Sequence, residues 1–259
     1  MRTSTTPAVF LGHGSPMNTL EHNGFTEAWA DVGAAVPRPR AVVAVSAHWY
    51  TGETAVTAMA QPRTIHDFAG FPPELSTFQY PAPGSPEVAA EVAALLAPCE
   101  VRADLGDWGL DHGTWSVLAH VYPDADVPVV QLSIDGRRPV EWHLEVGQRL
   151  AALRNSGVLL LGSGNVVHNL GRMDWGRPDA GDDWAVQFDE HVLDVLTTDP
   201  RRITEVHRHP AYRAAVPTPE HFLPVVHLAG MAVAAGVTLT PFAKGHAYGS
   251  LSMTSYRLD

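Results

Sequence analysis

The chain has 259 residues, 45% of them hydrophobic and 17% charged, enough to bury one large core and far from the low-hydrophobicity, high-charge balance of a disordered chain. Its formal net charge of -11, from 17 Lys+Arg against 28 Asp+Glu, repels a phosphate backbone and argues against nucleic acid as a partner. A single cysteine, Cys99, excludes an internal disulfide or a cysteine metal cage, so any metal must be held by histidine and carboxylate.

In chain order, residues 1–6 lack the basic region and apolar stretch of an export signal, and the expectation is a cytoplasmic chain. Four short apolar runs, 8–11, 41–45, 127–132 and 158–161, lie close to Gly, Ser or Pro and read as strands covered on both faces. Helices are expected at 86–96, 140–153 and 184–196. In the first of these Ser85 can cap the free amides, Pro86 takes the first helical position and Glu87 favours the positive end of the dipole. The irregular stretch 68–86 carries Phe68, Phe71, Phe78 and Tyr80, which makes it a structured loop of the kind that covers a site. Residues 228–242, broken by Gly230, Gly236 and Pro241, read as a buried helix followed by a strand rather than a membrane span. The tail alternates Ser250, Ser252 and Thr254 with Leu251, Met253 and Ser255, the pattern of a half-exposed final strand. Strand and helix alternate throughout without an internal repeat. The prediction is one α/β domain over 1–259, a sandwich with a central, largely parallel or mixed sheet flanked by helices.

Of the 14 histidines, five follow or precede expected elements. His13, in Leu11-Gly12-His13-Gly14-Ser15-Pro16, and His48, in Ser46-Ala47-His48-Trp49, each follow a strand, where open α/β sheets place ligands. His168 follows the fourth run through the glycine-rich turn Gly162-Ser163-Gly164-Asn165. His112, in Leu110-Asp111-His112-Gly113-Thr114-Trp115, precedes a helix, and His221, in Pro217-Thr218-Pro219-Glu220-His221-Phe222-Leu223-Pro224, is expected in the first turn of another. Taken singly, each reads more readily as a hydrogen-bonded structural or capping residue. Their joint placement, three after strands and two at helix starts, points to a metal site assembled from distant segments, with no local spacing such as HExxH. His22, His66, His120, His143, His191, His207, His209, His227 and His246 read as solvated surface or satisfied core. Cys99 lacks an activating histidine in sequence and reads as a small hydrophobe. Gly12-His13-Gly14-Ser15 departs from the nucleophile elbow, and Val167 stands where a dinucleotide fingerprint needs its third glycine.

These segments, together with Asp67-Phe68-Ala69-Gly70-Phe71-Pro72 and Tyr80-Pro81-Ala82-Pro83-Gly84, resemble nearly end to end the 4,5-DOPA extradiol dioxygenase family, within the class III extradiol ring-cleavage dioxygenases that include the catalytic subunit of protocatechuate 4,5-dioxygenase. The resemblance implies that His13, His48 and His221 bind the metal, that His168 is the acid/base and that His112 contacts or backs the substrate. It also places Ser163 and Asn165 in the site wall. The protocatechuate branch has a glutamate as its third ligand, and here His221 takes that position, with Glu220 beside it as the remaining carboxylate. The implied cofactor is one divalent metal per chain, Fe(II) for activity, with Zn(II) as an alternative occupant. The implied partners are a catechol-type small molecule and dioxygen, in a monomer or small homo-oligomer. Two other readings share the fold: a zinc hydrolase using the same histidines on water, and a binding protein with a vestigial site.

Overall fold

A computed structural model describes residues 5–259; residues 1–4, on which much of the no-leader reading rests, lie outside it. The strands are β1 (Ala8–Gly12), β2 (Ala41–Thr51), β3 (Ala55–Thr57), β4 (Arg102–Asp104), β5 (Val129–Asp135), β6 (Val158–Gly164), β7 (Thr240–Ala243), β8 (His246–Ala247), β9 (Leu251–Ser252) and β10 (Ser255–Leu258). The helices are α1 (Gly24–Ala35), α2 (Pro73–Thr77), α3 (Pro86–Leu96), α4 (His112–Val121), α5 (Val140–Leu150), α6 (Asp183–Thr198), α7 (Tyr212–Ala215) and α8 (Leu223–Ala235). Eight strands form one sheet in the order β4-β3-β5-β2-β6-β1-β10-β7. Its centre, β5-β2-β6-β1, is parallel, and β10 and β7 extend it antiparallel.

Side-chain alternation along the central strands divides the core in two. Ala8 and Phe10, Val43 and Val45, and Leu160 point to one face, where they meet α3, α5, α6 and α8 through residues such as Val92, Val146, Phe188 and Val226. Val9 and Leu11, Val42 and Ala44, and Leu159 and Leu161 point to the other, where they meet Trp29 and Val32 of α1 and Trp115 and Leu118 of α4. Apolar residues on both faces are why the four runs read as near-continuous hydrophobic sequence. The mixed, mostly parallel α/β sandwich matches the predicted class. No described helix is long and apolar enough to cross a membrane.

Several expected details shift. The helix expected over 140–153 ends at Leu150 and continues as a tight 3-10 turn through Ser156, closed by Gly157 at φ +79°. The final strand is not half-exposed: β10 lies between β1 and β7 with Ser255, Tyr256 and Leu258 buried. Its polar residues are accommodated by hydrogen bonds instead. Ser255 Oγ, for example, accepts from the Gly12 amide at 3.1 Å. His221 precedes α8 in a turn rather than sitting in its first turn. His143 departs from the satisfied-core reading: it is fully buried, and neither ring nitrogen has a well-aligned hydrogen-bond partner.

Candidate metal centre

The adjacent parallel strands β2, β6 and β1 end on the same side of the sheet, and their carboxyl ends assemble the site. His13 follows β1 directly, and its amide donates to Gly164 O at 3.0 Å. His48 lies within β2, not after it, at an irregularity in the pairing with β5 between Val45 and Tyr50. His168 follows β6, held by its amide on Ala215 O at 2.9 Å, and the turn carrying His221 is pinned by Asn165 N donating to His221 O at 2.9 Å. Gly164 permits this approach, because a Cβ there would overlap the His221 carbonyl oxygen. His112 opens α4, whose free amides are capped by the Asp111 side chain accepting from Thr114 N at 3.0 Å.

All five imidazoles therefore converge. The His13 ring lies 5.2 Å from His48 and 5.4 Å from His221 between centroids. His112 packs 3.8 Å from His48, and His168 stacks on His221 at 3.5 Å with ring planes nearly parallel at 3°. Among the described residues, two sets place three donor atoms within 4.8 Å of one another: His13, His48 and His221; and His48, Asp67 and His112.

The surrounding acceptors decide which nitrogens are free. Ser163 Oγ donates its proton to Gly113 O at 2.5 Å, so it accepts from His13 Nδ1 at 2.8 Å. Asp67 Oδ2 lies 3.3 Å from His48 Nδ1, and Glu220 Oε1 lies 3.3 Å from His221 Nδ1. These acceptors favour the tautomer with its proton on Nδ1 and the lone pair on Nε2, by hydrogen bonds for His13 and His221 and by the nearby Asp67 carboxylate for His48, whose Nε2 is buried without a partner. Glu220 backs His221 instead of adding a donor of its own. Asp67 is already committed, since it also accepts from His112 N at 3.0 Å and lies 2.9 Å from His112 Nδ1 in poor alignment. That leaves the three-histidine set as the open one.

Electrostatics keep the rings neutral. Burial, then the neighbouring His48 and His221, hold His13 well below its ordinary 6.5; burial, then His168, do the same for His221. Burial and His112 push His48 down to about 3, and burial lowers His168 to about 4 against the opposing pull of Glu220. Burial raises the Asp67 carboxyl, but the His112 contact and the two nearby imidazoles outweigh it and hold it at about 2. Asp111 shifts the other way, to about 6, because burial and Asp67 outweigh its bond from Ser46 Oγ at 2.7 Å. Neutral imidazole donors on an oriented outer ring of acceptors suit a divalent metal.

The cluster lines the floor of a cleft of about 410 Å³ whose walls include Phe68, Phe71, Leu170, Met173, Trp175 and Leu251. Of the aromatics in the irregular stretch 68–86, Phe68 and Phe71 line it, and Phe78 and Tyr80 do not. Trp49 and Trp115, beside His48 and His112 in sequence, stay out of it: Trp49 stacks on Trp108 at 5.7 Å, and Trp115 is core, its Nε1 donating to Ile65 O at 2.8 Å. Neither Ser163 nor Asn165 lines the cleft: Ser163 is fully buried behind His13, and the Asn165 side chain donates to Ser252 O at 2.7 Å. Sequence reasoning gave Asp67 no role and missed Trp175. The signal for Asp67 was available in the segment Asp67-Phe68-Ala69-Gly70-Phe71-Pro72, the only acidic residue of that stretch.

Imidazoles with open nitrogens at the carboxyl ends of adjacent parallel strands, beneath an apolar cleft, are the build of a metalloenzyme active site. A family model described as the catalytic LigB subunit of aromatic ring-opening dioxygenase matches residues 4–257. The chain is 47% identical over 262 residues to the 4,5-DOPA dioxygenase extradiol of Escherichia coli K12, covering 100% of this chain and 96% of that protein. It is 37% identical over 229 residues to the 4,5-DOPA dioxygenase extradiol of Beta vulgaris, covering 83% of each. The crystal structure of an uncharacterized protein from Escherichia coli K12 matches with a TM-score of 0.86 at 44% identity, covering 98% of this chain and 100% of that one. The chain belongs to the LigB family and is by class an extradiol ring-opening dioxygenase.

Proposed function

We propose that the whole chain is one catalytic domain that opens a catechol-type ring with dioxygen to a semialdehyde, using one divalent metal held by His13, His48 and His221. The observation that carries this reading is the arrangement of Nδ1 acceptors, Ser163, Asp67 and Glu220, which leaves Nε2 of each of the three histidines free. Bound Fe(II) would bring both catechol oxygens and dioxygen together and pass electron density between them, which zinc cannot do.

The chain's own residues supply the rest. His168, neutral at physiological pH because burial lowers it to about 4, can take a proton from a catechol hydroxyl and return it as the ring opens. Its parallel stack on His221 at 3.5 Å fixes its position over the cluster. His112, held by Asp67, presents its Nε2 towards the cleft as a hydrogen-bonding group for substrate oxygen. Phe68, Phe71 and Leu251 flank an aromatic ring and exclude water from the reacting bond. Both atoms of dioxygen enter the product, so the reaction needs no external reductant.

The test is anaerobic loading with Fe(II), then exposure to air with catechols while oxygen uptake and the yellow ring-opened product are followed. One dioxygen consumed per catechol, with loss of activity in His13→Ala, His48→Ala and His221→Ala, is the expected outcome. Turnover of an ester or amide without oxygen uptake would instead assign the zinc hydrolase.

A further inference from the structure

Asp189 is a buried carboxylate that the ring-opening chemistry leaves unused. It lies on α6, 5% exposed, and its two oxygens accept separately from one segment of chain. Ser252 Oγ donates to Oδ1 at 2.7 Å and Thr254 Oγ1 to Oδ2 at 2.6 Å. The half-buried His246 brings Nε2 to 3.5 Å of Oδ2 without hydrogen-bond alignment. Burial raises the carboxyl above its ordinary range in spite of the two hydroxyls and His246. A carboxylate ionised under those conditions detracts from stability, so its contribution lies in the geometry it enforces.

The segment it grips is the one that braces His168. On one side of His168, Ser252 N donates to Val167 O at 3.0 Å, and Asn165 Nδ2 donates to Ser252 O at 2.7 Å. On the other side, Asn169 N donates to Ser250 O at 3.1 Å and Ser250 Oγ returns a bond to Asn169 O at 2.8 Å. His168 itself pairs with Leu251, which lines the cleft. Side chains alternate along an extended chain, so seating Ser252 and Thr254 on Asp189 sets Leu251 on the opposite face. A slip of one residue would exchange the faces, and Leu251 and Met253 offer a carboxylate no donor. The metal-binding rings are held by other bonds: His13 by its amide on Gly164 O, His221 by Asn165 N on its carbonyl, and His48 by its place within β2.

Building on the ring-opening reading above, in which His168 moves the proton, we propose that Asp189 is a positioning residue for His168. Through Ser252 and Thr254 it fixes the register of residues 250–254, and with it the place of the imidazole over the cluster. Asp189 does not line the cleft and takes no part in the reaction itself.

The experiment measures kcat and KM for catechol by oxygen uptake on the Fe(II)-loaded protein, beside metal content and urea unfolding. Asp189→Asn, which keeps one acceptor oxygen of two, and Thr254→Val are each expected to lower kcat by about 10- to 100-fold with KM and metal content near the parent values, the pattern of a displaced reacting group. Thr254→Ser keeps the hydroxyl and should return kcat to near the parent value. Added to His168→Gln, Asp189→Asn or Thr254→Val should cost no more than about twofold further, because the group it displaces is gone; a general loosening of the fold would cost as much in that background as in the parent. If Asp189→Asn fails to fold, Thr254→Val carries the same comparison. An unmoved kcat, a loss of metal in step with kcat, or a full additional loss on top of His168→Gln would overturn the inference and leave the ring-opening reading standing. No oxygen uptake by the parent protein with any catechol would remove both.

Discussion

Replacing Ser163 by alanine tests how the free nitrogen of His13 is chosen. The hydroxyl is fully buried, gives its proton to Gly113 O and accepts from His13 Nδ1 at 2.8 Å. Without it the imidazole can carry its proton on either nitrogen, and the form protonated on Nε2 has no lone pair to offer on the side facing the other two rings. Losing such an outer partner costs roughly 10- to 100-fold in metal affinity, or about 1.4–2.7 kcal/mol. Leaving His13 Nδ1 and Gly113 O unpaired in the interior costs about 1–3 kcal/mol of stability as well. The two effects are separated by a control: Ser133→Ala removes an equally buried hydroxyl that accepts from Ala55 N at 2.7 Å and donates to Glu53 O at 2.9 Å, away from the cluster. Chelator-competition titration with Fe(II) or Zn(II), beside urea unfolding of the metal-free protein, should show both variants destabilised and only Ser163→Ala weakened for metal. Metal affinity within about twofold of the parent in Ser163→Ala, or equal weakening in Ser133→Ala, would refute the tautomer argument.

His168→Gln should keep its metal content and lose about 10²- to 10⁴-fold in kcat, measured by oxygen uptake at saturating catechol; full turnover would remove His168 from proton transfer. Gly164→Ala should lower the urea midpoint by an amount equivalent to about 1–3 kcal/mol, because the new Cβ overlaps the His221 carbonyl and the turn must move. It should also weaken metal binding, and an unaltered affinity would mean that the turn can yield without displacing the His221 ring. Acid stability reports on the buried pair His143 and His227, which burial lowers from 6.5 to about 3 and about 4. Both are neutral when folded and charged when unfolded between these values and 6.5, so stability is fully present above 6.5 and falls as pH is lowered through the window. A shift of that size is worth about 2 kcal/mol per residue near about pH 5. His143→Leu should therefore flatten the decline in urea stability between about pH 7 and pH 5, and an unchanged slope would contradict a neutral buried ring.

What was legible in the sequence follows the range of the interactions involved. The strands at Ala8, Ala41 and Val158 were visible because burial on both faces makes them apolar without interruption, a property each short run carries by itself. The helix from Pro86 to Leu96 was visible to the residue because its cap, first-turn proline and acidic residue are all local. The tail misread for the opposite reason. Its alternating serines and threonines look solvent-facing, but Ser252 and Thr254 are buried and donate to the Asp189 carboxylate at 2.7 and 2.6 Å, and Asp189 lies more than sixty residues earlier. Polar alternation predicts exposure only when no distant acceptor is folded against it. The five histidines were placed by their strand and helix ends. Asp67 and Trp175 were not, because each acquires its meaning from a partner on another segment, His48 and His112 for the one and Tyr248 for the other.

The same distinction explains why the imidazole cluster is neutral and aimed before any cation arrives. Charge and tautomer are fixed by separate means. Burial and mutual repulsion among the rings remove the extra proton, a collective effect that no single substitution would abolish. The remaining proton is then steered to Nδ1 one ring at a time, by a hydroxyl for His13 and by carboxylates for His48 and His221. Both devices expose the same nitrogen, and both cost stability in the metal-free chain, because unpaired buried lone pairs such as that of His48 Nε2 forgo the water they had when unfolded. Such groups persist where binding energy repays them, which places the reason for this arrangement in the ligand rather than in the fold.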